Sequence, residues 1–163
     1  MKIWAVRGIF ALAIGLAVGA AILLWQHGQP RRFALSAVSK LADNLANSHG
    51  SELLDTILIP VAIQSRTQSE QVEFLAKALA DEISPAGVEA LKRHSEFGPL
   101  KSIFPNEAPI WCSQAGVNAD DCVAFKMERA GIRAEVVMLR EGQTYRIVRC
   151  NNVKQMASEK SPT

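Results

Sequence analysis

Three cysteines, Cys112, Cys122 and Cys150, are the most reactive side chains of this 163-residue chain, and their placement admits two kinds of chemistry. In an oxidising compartment two of them can pair and leave one over. Cys112 with Cys122 is the preferred pair, because both fall near facing ends of consecutive expected helices; Cys122 with Cys150 is the alternative. Three buried thiols acting as small hydrophobes would be the purely structural outcome. The second kind of chemistry is nucleophilic. Asn118-Ala119-Asp120-Asp121 reads as an N-cap followed by an acidic first turn, which puts Cys122 where a helix dipole and open amides favour a thiolate. Asp120 and Asp121 oppose that effect with their own charge. A base would have to come from His49 or His94, since no histidine follows His94 and His27 falls in a connecting segment.

A second set of candidates is basic. Between Lys126 and Lys154 there are seven basic residues against three acidic ones, and Arg133, Arg140, Arg146 and Arg149 are the candidate binding residues for anionic headgroups, an acidic partner or an envelope polymer. The same charges also suit a solvated hairpin face, with Arg133 and Glu135 on one strand side, and charged strand positions guard against edge pairing. From Arg31 onward basic and acidic residues balance, so the formal +2 of the chain comes from Lys2 and Arg7. That balance argues against a nucleic-acid binder. There is no Gly-rich phosphate loop, no pair of Cys-x-x-Cys motifs and no His-x-x-x-His, so neither a metal nor a cofactor is expected.

The elements that must position these residues begin with helices. Phe33-Ala34-Leu35, Val38, Leu41, Ala42 and Leu45 recur at helical spacing up to Ser48-His49-Gly50, and Ser51 can cap a new helix. Leu53 to Ile63 is the most apolar part of the domain; Pro60 makes it a kinked helix, the preferred reading, or a buried strand. Thr67-Gln68-Ser69-Glu70 is a capping box opening a helix toward Ile83 with Val72, Leu75, Ala76 and Leu79 on one face. Ser84-Pro85 starts a shorter helix to about Ser95, stopped by Phe97-Gly98-Pro99. Pro105 to Ala115 forms a helix closed by Gly116, and Asn118 caps another that carries Cys122 to Ala130 and stops at Gly131. Ile132 to Leu139 and Thr144 to Cys150 are strands of a hairpin around Arg140-Glu141-Gly142-Gln143, which must pack on helices or find another strand.

Helix-borne Cys122, then Gly131, then a strand pair, over about 30 residues, resembles in outline the core of transglutaminase-like cysteine hydrolases. In that family the basic His comes on the next strands, whereas Gln143-Thr144-Tyr145-Arg146 contains none. The resemblance therefore implies a degenerate, noncatalytic relative.

Upstream, Gly8 to Trp25 is an uncharged run of 18 residues, enough for a helix across a hydrocarbon core of about 30 Å. Trp4 and Trp25 would sit in the two interfacial belts. A cleaved signal peptide ending near Val18-Gly19-Ala20 is the rival, but Ile22-Leu23-Leu24-Trp25 continues the run past that point. Gly15 and Gly19 form a small-residue pair through which a homodimer could pack.

The sequence thus predicts an α+β protein made of an N-terminal single transmembrane helix and one small, mostly helical domain ending in a β-hairpin. Residues 1–30 hold the signal-anchor helix at about 8–25, residues 31–156 the domain and 157–163 a disordered tail. The expected function is a single-pass, membrane-anchored module whose extracytoplasmic domain binds or assembles a protein partner in a membrane or envelope complex, without catalysis. A membrane-tethered cysteine-dependent hydrolase or thiol redox protein using Cys122 is the alternative.

Overall fold

The computed structural model describes residues 29–157. The chain divides into two units after Arg32; of the first only residues 29–32 are described, in helical conformation, and the second begins at Phe33.

Helix α1 (29–46) buries Ala34, Val38, Leu41 and Ala42 on the face its spacing dictates. It ends at residue 46, and Ser48, at φ 58°, takes the left-handed turn that follows, so Gly50 is free to begin α2 (Gly50–Thr56) instead of ending α1. The cap of α2 is His49 without a side-chain hydrogen bond, not Ser51. The apolar run from Leu53 to Ile63 is neither a single helix nor a strand. The Thr56 hydroxyl donates back to the Leu53 carbonyl at 2.9 Å, Ile57 turns extended, and the Leu58 amide donates to the Ile147 carbonyl at 2.9 Å in a parallel bridge. Pro60, which forbids helical geometry to the residue before it, then opens a short 3-10 turn, Val61–Ile63.

Helix α3 (Gln68–Leu79) has both arms of its capping box: the Glu70 amide donates to the Thr67 hydroxyl and the Thr67 amide donates to the Glu70 carboxylate. It stops at Leu79, short of Ile83. Helix α4 (Pro85–His94) is capped by Ser84 and carries Lys92, Arg93 and His94 in its last turn, favourable at the negative end of the dipole. Gly87 in α4 lets the chain at Val153 pass so closely that a Cβ would lie 2.0 Å from the Val153 carbonyl oxygen.

Phe97-Gly98-Pro99, expected only to stop α4, belongs to strand β1 (Glu96–Pro99). Two short helices come next, α5 (Leu100–Ile103) and α6 (Ala108–Ala115), the latter closed by Gly116 at φ 68°. The expected helix from Asn118 to Ala130 is not formed. Asn118 caps one 3-10 turn, Ala119–Asp121, after which the chain extends into β2 (Cys122–Arg129). Ala130 and Gly131, both at positive φ, turn β2 into β3 (Ile132–Glu141), and Gly142 turns β3 into β4 (Thr144–Asn151). The antiparallel sheet has the order β1-β2-β3-β4, so the hairpin finds two further strands.

The sheet is the middle of three layers. One face meets α1 to α4 around Phe125, Met127, Ala134, Val136, Met138 and Ile147; the other packs Cys122, Ala124 and Val137 against Leu100, Phe104, Ala108 and Cys112 of the α5–α6 region.

Among the described residues no helix is long and apolar enough to cross a membrane. Helix α1 carries Arg31, Arg32, Lys40 and Asp43, and α2 to α6 have 12 residues or fewer. Residues 8–25, with Gly15, Gly19 and the rival signal-peptide site, lie outside the described residues, as do His27 and most of the tail. The fold class is therefore corrected to α+β, with six helices and a four-stranded antiparallel sheet among the described residues, none of those helices being long and apolar enough to cross a membrane. The single-pass membrane placement and the extracytoplasmic location derived from it are withdrawn with that element.

Candidate binding site

Strand β3 places Arg133, Glu135, Val137 and Leu139 on the face that looks toward α5 and α6, because side chains alternate along a strand. Strand β4 breaks that alternation. Met138 pairs with Ile147 but Val137 pairs with Arg149, so Val148 is an extra, bulged residue. Without the bulge Arg149 would point into the main core and Cys150 toward Glu135. With it, Cys150 packs against the main core and Arg149 shares the face of Glu135.

The result is a chain of charges around a buried carboxylate. Glu135, with a side chain only 2% exposed, receives Arg149 Nε at 2.8 Å and Arg133 Nε at 3.3 Å, and Arg133 also reaches Glu107 at 3.1 Å. Burying a carboxylate is tolerable only with such partners. Aromatic rings hold both guanidinia in place: Arg133 lies 5.4 Å from the Phe104 centroid, Arg149 5.0 Å from that of Trp111, and the two rings meet edge-on at 5.0 Å. Beside Arg149 opens a groove of about 180 Å³ lined by Leu58, Ile59, Pro60, Trp111, Gln114, Ala115 and Val148. Its walls come from the segment bridged to β4, from the last turn of α6 and from the bulge itself.

The four arginines expected as one binding set therefore separate. Arg133 and Arg149 meet across Glu135; Arg146 is held by both oxygens of Glu141, at 3.0 and 2.5 Å, and Arg140 donates to the Gly142 carbonyl at the hairpin tip. Trp111 and the Leu58–Pro60 wall were not singled out from sequence. An aromatic in a helix otherwise read as core gives no sign that it will meet an arginine 38 positions later across a bulge.

The cysteines are free thiols. Cys112 on α6 and Cys122 at the head of β2 share the smaller core, whereas Cys150 belongs to the opposite face. Cys122 is not in a helical first turn, so the dipole that would favour its thiolate is missing, and with it the helix-borne cysteine that carried the resemblance to transglutaminase-like hydrolases. Burial instead pushes its thiol up to about 12, with Cys112 and Asp121 adding to the shift. Burial likewise raises Cys112, and raises Cys150 to about 12 with Glu82 and Glu135 reinforcing it and Arg149 opposing. His49 caps α2 and His94 ends α4, both exposed. Among the described residues no three His, Cys, Asp or Glu side chains are grouped to hold a metal ion.

The chain matches no family model, and no curated protein or solved structure is significantly similar to it.

Proposed function

We propose that this domain works by binding rather than catalysis, through the groove between the Leu58–Pro60 segment, α6 and β4. The observation that carries the reading is Arg149: a guanidinium fixed between a buried carboxylate and the Trp111 ring, at the side of an apolar groove. Tryptophan and arginine in a partly desolvated pocket are the residue types on which recognition energy concentrates. Exposed apolar side chains adjoin it in sequence, Ile110 (58% exposed) next to Trp111 and Val61 (65% exposed) next to Pro60, and they extend the apolar surface a ligand can use.

Hydroxyl-radical footprinting tests this directly by comparing the protein in its native extract with the purified protein. The expected outcome is protection of Leu58, Pro60 and Trp111 in the extract, with the exposed Phe74 unchanged. Equal modification of the groove residues in both samples would remove the groove as the binding site.

A further inference from the structure

We infer that the groove takes a small apolar monocarboxylate, its carboxylate on Arg149 and its hydrocarbon body against Trp111 and the Leu58–Pro60 wall; this rests on the groove-binding reading above. The charge distribution sets the sign of the ligand. Arg133 has Glu107 to itself and a share of Glu135, while Arg149 has only the remaining share of Glu135 among the described residues. Positive charge is therefore least compensated at Arg149, the member of the cluster that lines the groove. Glu135 engages the Nε edge of that guanidinium, and the Nη donors remain for a second, incoming oxyanion in the fork geometry that arginine offers carboxylates. The Trp111 ring, 5.0 Å away, fixes the plane in which those donors lie.

The walls set the rest of the molecule. Leu58, Ile59, Pro60, Ala115 and Val148 offer no charge and Gln114 only a neutral amide, so a second carboxylate or a polyphosphate placed among them would be desolvated without a further cation. Arg146, the next arginine along β4 toward the hairpin tip, is already taken by both oxygens of Glu141. The volume of about 180 Å³ sets the size, since a cavity of about 150 Å³ suffices for benzene. Benzoate matches that description and benzamide is its neutral counterpart of nearly equal shape.

The test is a titration of the full chain with benzoate and with benzamide, monitored through the amide and indole NMR signals of Trp111 and Val148. Saturable shifts at these residues are expected, with benzoate at least tenfold tighter than benzamide. Ala115→Leu, which fills the groove without touching the ion cluster, should weaken benzoate at least tenfold while leaving the rest of the spectrum in place. Arg149→Gln should bring the two ligands to equal affinity; should that variant fail to fold, Ala115→Leu still decides. Equal affinities in the unaltered protein would overturn the carboxylate while leaving the groove as a site. No saturable shift with either compound, or undiminished binding by Ala115→Leu, would overturn the groove ligand altogether.

Discussion

Glu135 keeps its place inside the protein through two guanidinia, and the arrangement predicts unequal costs for removing them. Arg149→Ala takes away the shorter contact and the cover over Trp111, leaving a buried carboxylate with Arg133 alone. A loss of about 1 to 3 kcal/mol in urea-denaturation stability is expected. Arg149→Lys keeps the charge but not the planar fork, and should fall between the two. The thiols set a second residue-level expectation. Cys150 stays protonated in the fold up to about 12, whereas an unperturbed thiol ionises near 9.0. Stability from this group is thus complete below pH 9 and falls as pH rises toward 12, because only the unfolded chain releases the proton. Urea midpoints at pH 8 and pH 10 should differ less in Cys150→Ala than in the unaltered protein. At pH 8 thiol reagents should label Cys112 and Cys122 only when the protein unfolds, and rapid labelling of the native protein at either would contradict their burial.

Elements were legible where a local signal had no competitor. The capping box at Thr67, Ser84-Pro85 before α4 and Gly116 after α6 each fix one end of a helix by chemistry confined to a few residues. The signal at Asn118 was as good but was spent on a single 3-10 turn. The next segment, Cys122 to Arg129, is buried on both faces for most of its length, so the alternation that identifies a half-exposed strand is absent and a helix reads equally well. Strand β1 is four residues long and contains Gly98 and Pro99, both poor strand formers, and only its antiparallel pairing with β2 extends it. The contact between α4 and the chain after β4 was invisible for a related reason, since its sole sequence mark is the absence of a side chain at Gly87. Gly87→Ala puts a Cβ 2.0 Å from the Val153 carbonyl oxygen, which is backbone and cannot swing aside. A destabilisation of about 3 kcal/mol or more is expected, measured by thermal unfolding. A change within about 0.5 kcal/mol, the ordinary range for a harmless surface substitution, would mean that α4 and Val153 part easily.

For the molecule as a whole, the layered order puts β3 between two strands and two cores, and native-state hydrogen exchange should find its amides from Val136 to Met138 the last to open. Those of β1, at the sheet edge, should exchange sooner, and equal protection would argue that all layers open together. The groove itself exists only at this scale, because a bridged loop, a helix end and a bulged strand meet there from three parts of the chain. One of those parts has a parity. Val148 is a single extra residue, and deleting its codon would restore strict alternation from Tyr145 to Asn151. Every side chain after it would keep its side: Arg149 would still stand opposite Val137 and Cys150 opposite Val136, now in regular pairing. An in-frame deletion of three nucleotides would thus take one wall, Val148, out of the groove while leaving Arg149 on its face, whereas forcing Val148 into regular pairing opposite Val137 would turn Arg149 toward the main core. The reading frame of the sheet, as much as the identity of its residues, is what holds this site open.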